Sequence, residues 1–149
     1  MMLENTMRMF ELAEKGYYCS QILLSLALDS CGRTNPDLIR TMAGLAHGAG
    51  FGAGTCGALT GGCCLLAFYS AKGSDTEEET ELFMGMRQQL TEWFIESVGE
   101  QYGGVDCETI VGDGADKQIR CGQIVGAVYA KARDILTRNG FDMSICKQD

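Results

Sequence analysis

Cysteine is the residue type through which this 149-residue chain could do chemistry, since the chain has eight cysteines and only one histidine. Three cysteines share the local pattern Cys-x-[Gln/Thr]-Ile-[Val/Leu], and a fourth begins the related segment Cys-Gly-Ala-Leu-Thr-Gly. These are Cys19, Cys107 and Cys121, with Cys56 as the fourth. Thiolates attack disulfides and ligate metals, so such a set suits redox chemistry or metal binding.

Each of these four cysteines falls within about the first turn of a predicted helix. Unpaired backbone N–H groups and the positive end of the helix dipole favour the thiolate form at that position. The cysteines also share a helical face with apolar residues, as Cys121 does with Ile124 and Val128. A single such cysteine is often a small core residue, but four with similar surroundings indicate a shared role. We therefore expect the four sulfur atoms to point inward and to meet at one protected centre.

The other four cysteines lack this pattern. Cys63 and Cys64 are adjacent on a predicted buried helix, where their side chains diverge by about 100°, and we interpret both as core residues. Cys31 ends a predicted helix, where the dipole disfavours a thiolate, and Cys146 lies near the end of the sequence. We expect Cys31 and Cys146 to stay apart from the centre at which the four patterned cysteines cluster.

The elements that must position the cysteines are helices, because the apolar spacing is helical and the chain has only one proline. The predicted helices cover approximately residues 3–15, 18–30, from 36, 55–71, from 74, 106–111 and 117–138. Ser74-Asp75-Thr76-Glu77 has the spacing of a capping box and predicts the start of the longest helix. We expect an all-α, single-domain bundle of about six to seven helices over residues 1–140, with a glycine-rich loop before the central buried helix. A loosely ordered tail is expected over residues 141–149.

Charge and hydropathy exclude several classes of partner. The chain has 12 Lys and Arg against 20 Asp and Glu, a net charge of −8, which argues against nucleic acid binding. Residues 41–71 carry no charged side chain, but glycines interrupt them and the continuous apolar part is far shorter than the ~20 residues of a membrane span. The first residues lack the features of a signal peptide, so we expect a cytoplasmic protein whose cysteines are thiols.

The chain resembles the family of redox-active proteins with the C–GCAxxG–C–C cysteine pattern. The resemblance rests on segments 18–21 and 56–61 and on Cys107 and Cys121. It implies a helical redox protein of about this length, with its signature cysteines at the same four positions. A related domain in split-Soret cytochromes c has four cysteines that look able to hold an iron–sulfur cluster. Haem attachment is not expected here, because the chain has no Cys-x-x-Cys-His.

Glycines surround the second cysteine, and segment 52–57 matches Gly-x-Gly-x-x-Gly by letters. A dinucleotide fingerprint must follow a strand, and none is predicted before it, so we expect no nucleotide. We instead expect Gly54 and Gly57 to bring the backbone close to the centre and to help bind a cofactor. The only histidine, His47, is interpreted as structural, with a role as an additional ligand or proton donor left open.

Three forms of the four-cysteine centre remain open. The first is an iron–sulfur cluster, most simply [2Fe–2S], with Cys19, Cys56, Cys107 and Cys121 as ligands for electron transfer or redox sensing. The second is a metal-free thiol–disulfide device, in which the same thiols are the catalytic groups. The third is a structural zinc site, which we place last because paired Cys-x-x-Cys units are absent. We expect a redox partner protein and leave open whether the chain forms a homodimer or acts as an enzyme.

Overall fold

The computed structural model describes residues 2–78, 80–112, 114 and 116–147. Within these residues the chain forms seven helices and no β-strand, which confirms the expected all-α bundle. The helices are α1 (Met2–Glu14), α2 (Cys19–Ser30), α3 (Pro36–Met42), α4 (Gly57–Ser70), α5 (Leu82–Phe94), α6 (Cys107–Val111) and α7 (Lys117–Arg138). Short helical turns follow α3 over residues 43–49, and α5 continues through a π-helical turn, Ile95–Gly99, to Tyr102.

Two helix starts are set by local hydrogen bonds that the sequence predicts. The side chain of Asn35 accepts a hydrogen bond from the backbone N–H of Leu38 at 3.1 Å, and Pro36 is the first residue of α3. The side chain of Asp106 accepts one from the backbone N–H of Thr109 at 2.9 Å, at the start of α6. Both bonds satisfy an N–H group that has no partner inside the helix. Residues 117–138 were predicted as a helix and form α7 with those bounds.

The expected start of α5 at Ser74 is wrong. The Glu77 carboxylate does accept hydrogen bonds from the backbone N–H groups of Gly73 and Ser74, as in a capping box. These bonds close a turn, however, and α5 begins only at Leu82. Carboxylates three or four residues apart repel one another in a helix, and this segment is rich in them. At 13 residues, α5 is therefore shorter than the 22-residue α7.

Helix α4 lies at the centre of the bundle and contacts α2, α5 and α7. Two glycines allow this close packing. A Cβ atom at Gly61 would lie 2.9 Å from the Cα of Ser20 in α2. A Cβ atom at Gly62 would lie 2.6 Å from Cγ1 of Val128 in α7 and 2.9 Å from Cδ2 of Leu90 in α5. The core around α4 consists mainly of fully buried aliphatic side chains and Phe94.

The expected looseness of the C-terminal tail is wrong for residues 141–147, which pack against the bundle. Met143 and Cys146 are 8% and 5% exposed. The hydroxyl of Tyr69 donates a hydrogen bond to the carbonyl of Met143 at 2.9 Å, which ties the segment to α4. Gln148 and Asp149, the rest of the predicted tail, lie outside the described residues. None of the helices formed by the described residues has the length and apolar character needed to cross a bilayer.

We predict that Gly62→Ala destabilises the protein by about 1–3 kcal/mol, because its methyl group must displace Val128 and Leu90 in a filled core. Urea unfolding followed by circular dichroism measures this. Gly85→Ala is the matched control, since Gly85 lies on the exposed side of α5 with no atom within 4 Å of an added Cβ. The control gains about 0.5–1 kcal/mol from helix propensity. Equal effects of the two substitutions would contradict the close packing of α4.

Candidate redox centre

All four patterned cysteines are free thiols located at or near the start of a helix. Cys19 and Cys107 are the first residues of α2 and α6, and Cys56 is the residue that precedes α4. Cys121 is the fifth residue of α7, one turn inside the helix. Cys56 is buried and the other three are half-buried. The four thiols therefore come from four separate parts of the chain.

The structure brings these four thiols within electrostatic reach of one another. Burial is the main cause of the raised pKa of Cys19, and the negative charges that Cys56, Cys121 and Cys107 would carry raise it further. Burial also raises the pKa of Cys56, with further contributions from Cys107 and Cys121. Burial is also the main cause of the raised pKa of Cys121, and the negative charge that Cys107 would carry raises it further. Each of the six possible pairs among the four cysteines thus interacts.

A short backbone pairing holds Cys56 next to Cys107. The backbone N–H of Cys56 donates to the carbonyl of Val105 at 2.9 Å, and the N–H of Cys107 donates to the carbonyl of Gly54 at 3.0 Å. An isolated antiparallel bridge joins Thr55 and Asp106 between these two bonds. The glycine-rich loop before α4 and the start of α6 are therefore fixed to each other through main-chain bonds.

The contact between α2 and α4 places Cys19 at the same centre. A Cβ atom at Gly57 would lie 2.8 Å from Sγ of Cys19 and 3.1 Å from the carbonyl oxygen of Leu45. One turn later, Gly61 faces Ser20 in the same way. The spacing of the two glycines in Cys-Gly-Ala-x-x-Gly therefore clears one face of α4 for the first residues of α2.

Backbone N–H groups favour the thiolate form of two of the cysteines. The N–H groups of Ala58 and Leu59 at the start of α4 stabilise the thiolate form of Cys56, and the N–H of Ser20 does so for Cys19. These bonds lower the thiol pKa, as expected for a helix N-terminus. Burial outweighs them, however, so the net pKa shift is upward. The expectation that helix starts give these thiols a low pKa is therefore wrong.

The charges beside the other two thiols differ in sign. Burial raises the pKa of Cys107, and the carboxylates of Asp106 and Glu108 raise it further. At Cys121, the basic side chains of Lys117 and Arg120 partly oppose the effect of burial. The Cys107 side of the centre is thus acidic and the Cys121 side is basic.

His47 and Gly54 lie in the loop that precedes Cys56. The His47 ring meets the Tyr18 ring edge to face, with centroids 5.2 Å apart, and its backbone adopts a left-handed conformation at φ 57°. The loop closes tightly, since a Cβ atom at Gly48 would lie 2.7 Å from the carbonyl oxygen of Gly54. The same carbonyl oxygen of Gly54 accepts the hydrogen bond from the backbone N–H of Cys107, which is how Gly54 helps to position the centre. Whether His47 serves the centre stays a prediction.

The remaining cysteines do not join the four. Cys63 and Cys64 are half-buried in α4 and pack against the core, with Sγ of Cys63 3.9 Å from Oγ1 of Thr91. Cys31 and Cys146 form a disulfide, with Cα atoms 5.8 Å apart. The expectation that the cysteines are all thiols is wrong for this pair. Cys31 follows the last residue of α2 whereas Cys19 is its first, so the pair lies apart from the patterned cysteines, as expected. The sequence carries no signal for it, because 115 positions separate the two residues and neither has a shared local pattern.

No three His, Cys, Asp or Glu side chains form a group arranged to hold a metal ion within the part of the chain that the structure describes. The features of this site that suit redox chemistry are the four thiols, their glycine neighbours and the backbone N–H groups near Cys19 and Cys56.

Comparison with known families agrees with the cysteine pattern of the sequence. The sequence profile of the family described as "Putative redox-active protein (C_GCAxxG_C_C)" matches residues 17–135, a span that contains all four thiols of the centre. The chain belongs to this family, which confirms the resemblance drawn from its cysteines. No curated protein and no solved structure matches the chain.

We predict that Gly57→Ala pushes the Cys19 sulfur out of its position and speeds alkylation of Cys19 several-fold, because the added methyl would lie 2.8 Å from that sulfur. Timed alkylation of the reduced, metal-free protein, followed by peptide mass mapping, measures the rate. Gly122→Ala is the matched control, since it adjoins Cys121 but an added Cβ there has no atom within 4 Å. An unchanged alkylation rate of Cys19 in Gly57→Ala would contradict the close contact between position 57 and the Cys19 sulfur.

Alkaline pH should destabilise the reduced, metal-free protein. Burial raises the pKa of Cys19 from its ordinary value of 9.0 to about 12. The unfolded chain then loses this proton near pH 9 while the folded chain keeps it, so stability is full below pH 9 and falls between pH 9 and 12. One such proton is worth about 1.4 kcal/mol per pH unit. In urea unfolding at stepped pH, Cys19→Ser should show a shallower fall than the unaltered chain, and identical slopes would contradict the burial of this thiol.

Proposed function

We propose that the protein is a redox protein that holds an iron–sulfur cluster, most simply [2Fe–2S], on Cys19, Cys56, Cys107 and Cys121. The observation that carries the proposal is the position of four thiols from four separate parts of the chain. Sγ of Cys19 lies beside Gly57, and main-chain bonds hold Cys56 next to Cys107. Cys121 lies within electrostatic reach of the other three. When bound, such a cluster accepts and returns single electrons. Membership of a family of redox-active proteins supports a redox role of this kind.

No three of the described side chains are already arranged as metal ligands, but the chemistry of the four cysteines and their surroundings suits such a group in two respects. The donor set is four thiols, which is the usual ligand set of [2Fe–2S] and [4Fe–4S] clusters. Gly57 leaves free the space that a side chain would take beside Sγ of Cys19. The chain can therefore place sulfur atoms close to its own backbone at this point.

The protein also supplies hydrogen bonds to the ligand sulfurs. The backbone N–H groups of Ala58 and Leu59 lie at Cys56, and that of Ser20 lies at Cys19. Such bonds to ligand sulfurs are one of the means by which proteins set cluster potentials. These residues would orient two ligands and lower the cost of their negative charge. An electron carrier also needs a donor and an acceptor, so the proposal implies a redox partner protein.

A second candidate function is thiol–disulfide exchange by pairs drawn from the same four cysteines. It is favoured by the six mutual interactions among the thiols and by the fact that another cysteine pair in this chain is already joined. In such a reaction, two thiols of the protein would reduce a disulfide of the partner and become a disulfide themselves. No metal would take part.

Anaerobic purification tests the proposed function directly. We expect visible absorption, together with iron and acid-labile sulfide in equal amounts. Cys→Ser at position 19, 56, 107 or 121 should each bleach the absorption, because a cluster needs all four thiolates. Cys63→Ser and Cys64→Ser are the controls and should retain the colour, since both residues pack against the core.

Other outcomes of this experiment would indicate a structural zinc site, thiol–disulfide exchange or a wrong choice of cysteines. Colourless protein with one zinc ion per chain would overturn the cluster and indicate a structural metal site. Colourless, metal-free protein that loses thiols in pairs on mild oxidation would indicate thiol–disulfide exchange. Bleaching by Cys63→Ser or Cys64→Ser equal to that of the four would show that the centre was assigned to the wrong sulfurs.

A further inference from the structure

The Cys31–Cys146 disulfide lies outside the four-cysteine centre and joins two distant parts of the chain. We propose that Cys31 and Cys146 form a second, reversible dithiol–disulfide couple that fastens residues 141–147, here called the C-terminal strap, across the ends of α2 and α4. Cys31 directly follows the last residue of α2. The strap follows α7 and returns to this end of the bundle.

Polar contacts show where the strap lies. The buried hydroxyl of Tyr69 in α4 lies 2.9 Å from the carbonyl oxygen of Met143 and 3.3 Å from that of Ala27 in α2. The ammonium of Lys147 donates to the carbonyl of Ala71, just after α4, at 3.0 Å. The strap therefore contacts the ends of both helices at the same time.

The Cys31 end of the strap has a further contact. Arg33, two residues after Cys31, donates a hydrogen bond to the carbonyl of Lys147 at 2.8 Å. This bond and the disulfide hold the end of the strap against the turn after α2.

The strap has little apolar burial of its own to hold it closed. Among residues 141–147 only Met143 and Cys146 are buried, Phe141 packs against the core but is half-buried, and Ile145 is 68% exposed. Segments with few buried contacts open locally at low free-energy cost. The covalent link between Cys31 and Cys146, in contrast, keeps the end of the strap at the end of α2 even when its hydrogen bonds open. The disulfide therefore decides whether the strap stays closed.

The strap couple and the four-cysteine centre are separated by the length of α2. Cys19 is the first residue of this helix and Cys31 follows its last. Twelve residues of helix span about 18 Å, which is too far for direct exchange between the two sulfurs. The two redox elements should thus titrate independently.

Opening the couple needs two reducing thiols, which come from one dithiol or from two glutathione molecules. A reductant thiolate attacks one sulfur of the bridge, most accessibly the half-buried Cys31, and breaks the S–S bond. The second thiol of the reductant then displaces this sulfur, so the reductant leaves as a disulfide and Cys31 and Cys146 end as two thiols. A small-molecule disulfide such as glutathione disulfide reverses the step and leaves as two glutathione thiols.

A redox titration of the full chain in glutathione buffers tests the proposal. Samples are quenched by alkylation and mapped by mass spectrometry, while hydrogen exchange is measured over residues 141–147. We expect Cys31 and Cys146 to become alkylated together in one two-electron step. Exchange in the strap should then rise at least tenfold while α4 stays protected, and the melting temperature should fall by roughly 5–15 °C.

Serine variants separate the bridge from general reduction. In oxidising buffer, Cys31→Ser and Cys146→Ser should each reproduce the fast strap exchange of the reduced protein. Cys64→Ser, which leaves the bridge intact, should not. Independent alkylation of Cys31 and Cys146 in every buffer would overturn the couple. Unchanged strap exchange on reduction would overturn its role as a fastener.

The same titration on chelator-treated protein keeps this inference separate from the proposed function. The strap should respond equally with and without any metal at the four-cysteine centre. A colourless protein whose strap still opens on reduction would contradict the proposed cluster and leave the strap couple standing. A coloured protein in which Cys31 and Cys146 never form a disulfide would contradict the strap couple and leave the cluster standing.

Discussion

The close approach of α2 to the start of α4 is the constraint on which the rest of this structure depends. The sulfur of Cys19 occupies the space that any side chain at position 57 would need. Position 61 is restricted in the same way by Ser20, whose hydroxyl also donates to the carbonyl of Met42 at 2.7 Å. Because this approach fixes the first turn of α2, it also fixes α3 and the loop that leads to Cys56. The centre is thus a product of helix packing and not of a local loop motif.

Crowding and burial give the four thiols their electrostatic character. Backbone N–H groups at two helix starts favour the thiolate forms of Cys19 and Cys56, yet removal from water raises the pKa of all four thiols. Four thiols with raised pKa values keep their protons unless another bond to sulfur replaces them. A bound cationic centre or a pair of S–S bonds would each supply such bonds. This is why the same geometry is compatible with more than one redox chemistry, and why chemical analysis distinguishes them better than shape does.

Much of this fold could be read from the sequence, because many of its helix ends are set by local bonds. Asn35 and Asp106 cap their helices with their own side chains, so their signals do not depend on the rest of the protein. Ser74 shows the limit of such signals. Its capping bond forms, but the acidic segment after it does not continue as a helix. The upward pKa shifts and the Cys31–Cys146 bridge were not readable, since both follow from which parts of the chain meet in three dimensions.

The distribution of the four thiols along the chain has a consequence for biosynthesis. A Cys-x-x-Cys unit is complete as soon as a few residues have left the ribosome, whereas this centre needs Cys19 near the beginning and Cys121 in the last helix. The pairing that aligns Cys56 with Cys107 also waits for the segment around Val105. The ribosome must therefore have released most of the domain before any cofactor could be inserted, and a truncated nascent chain would expose single thiols but no assembled site.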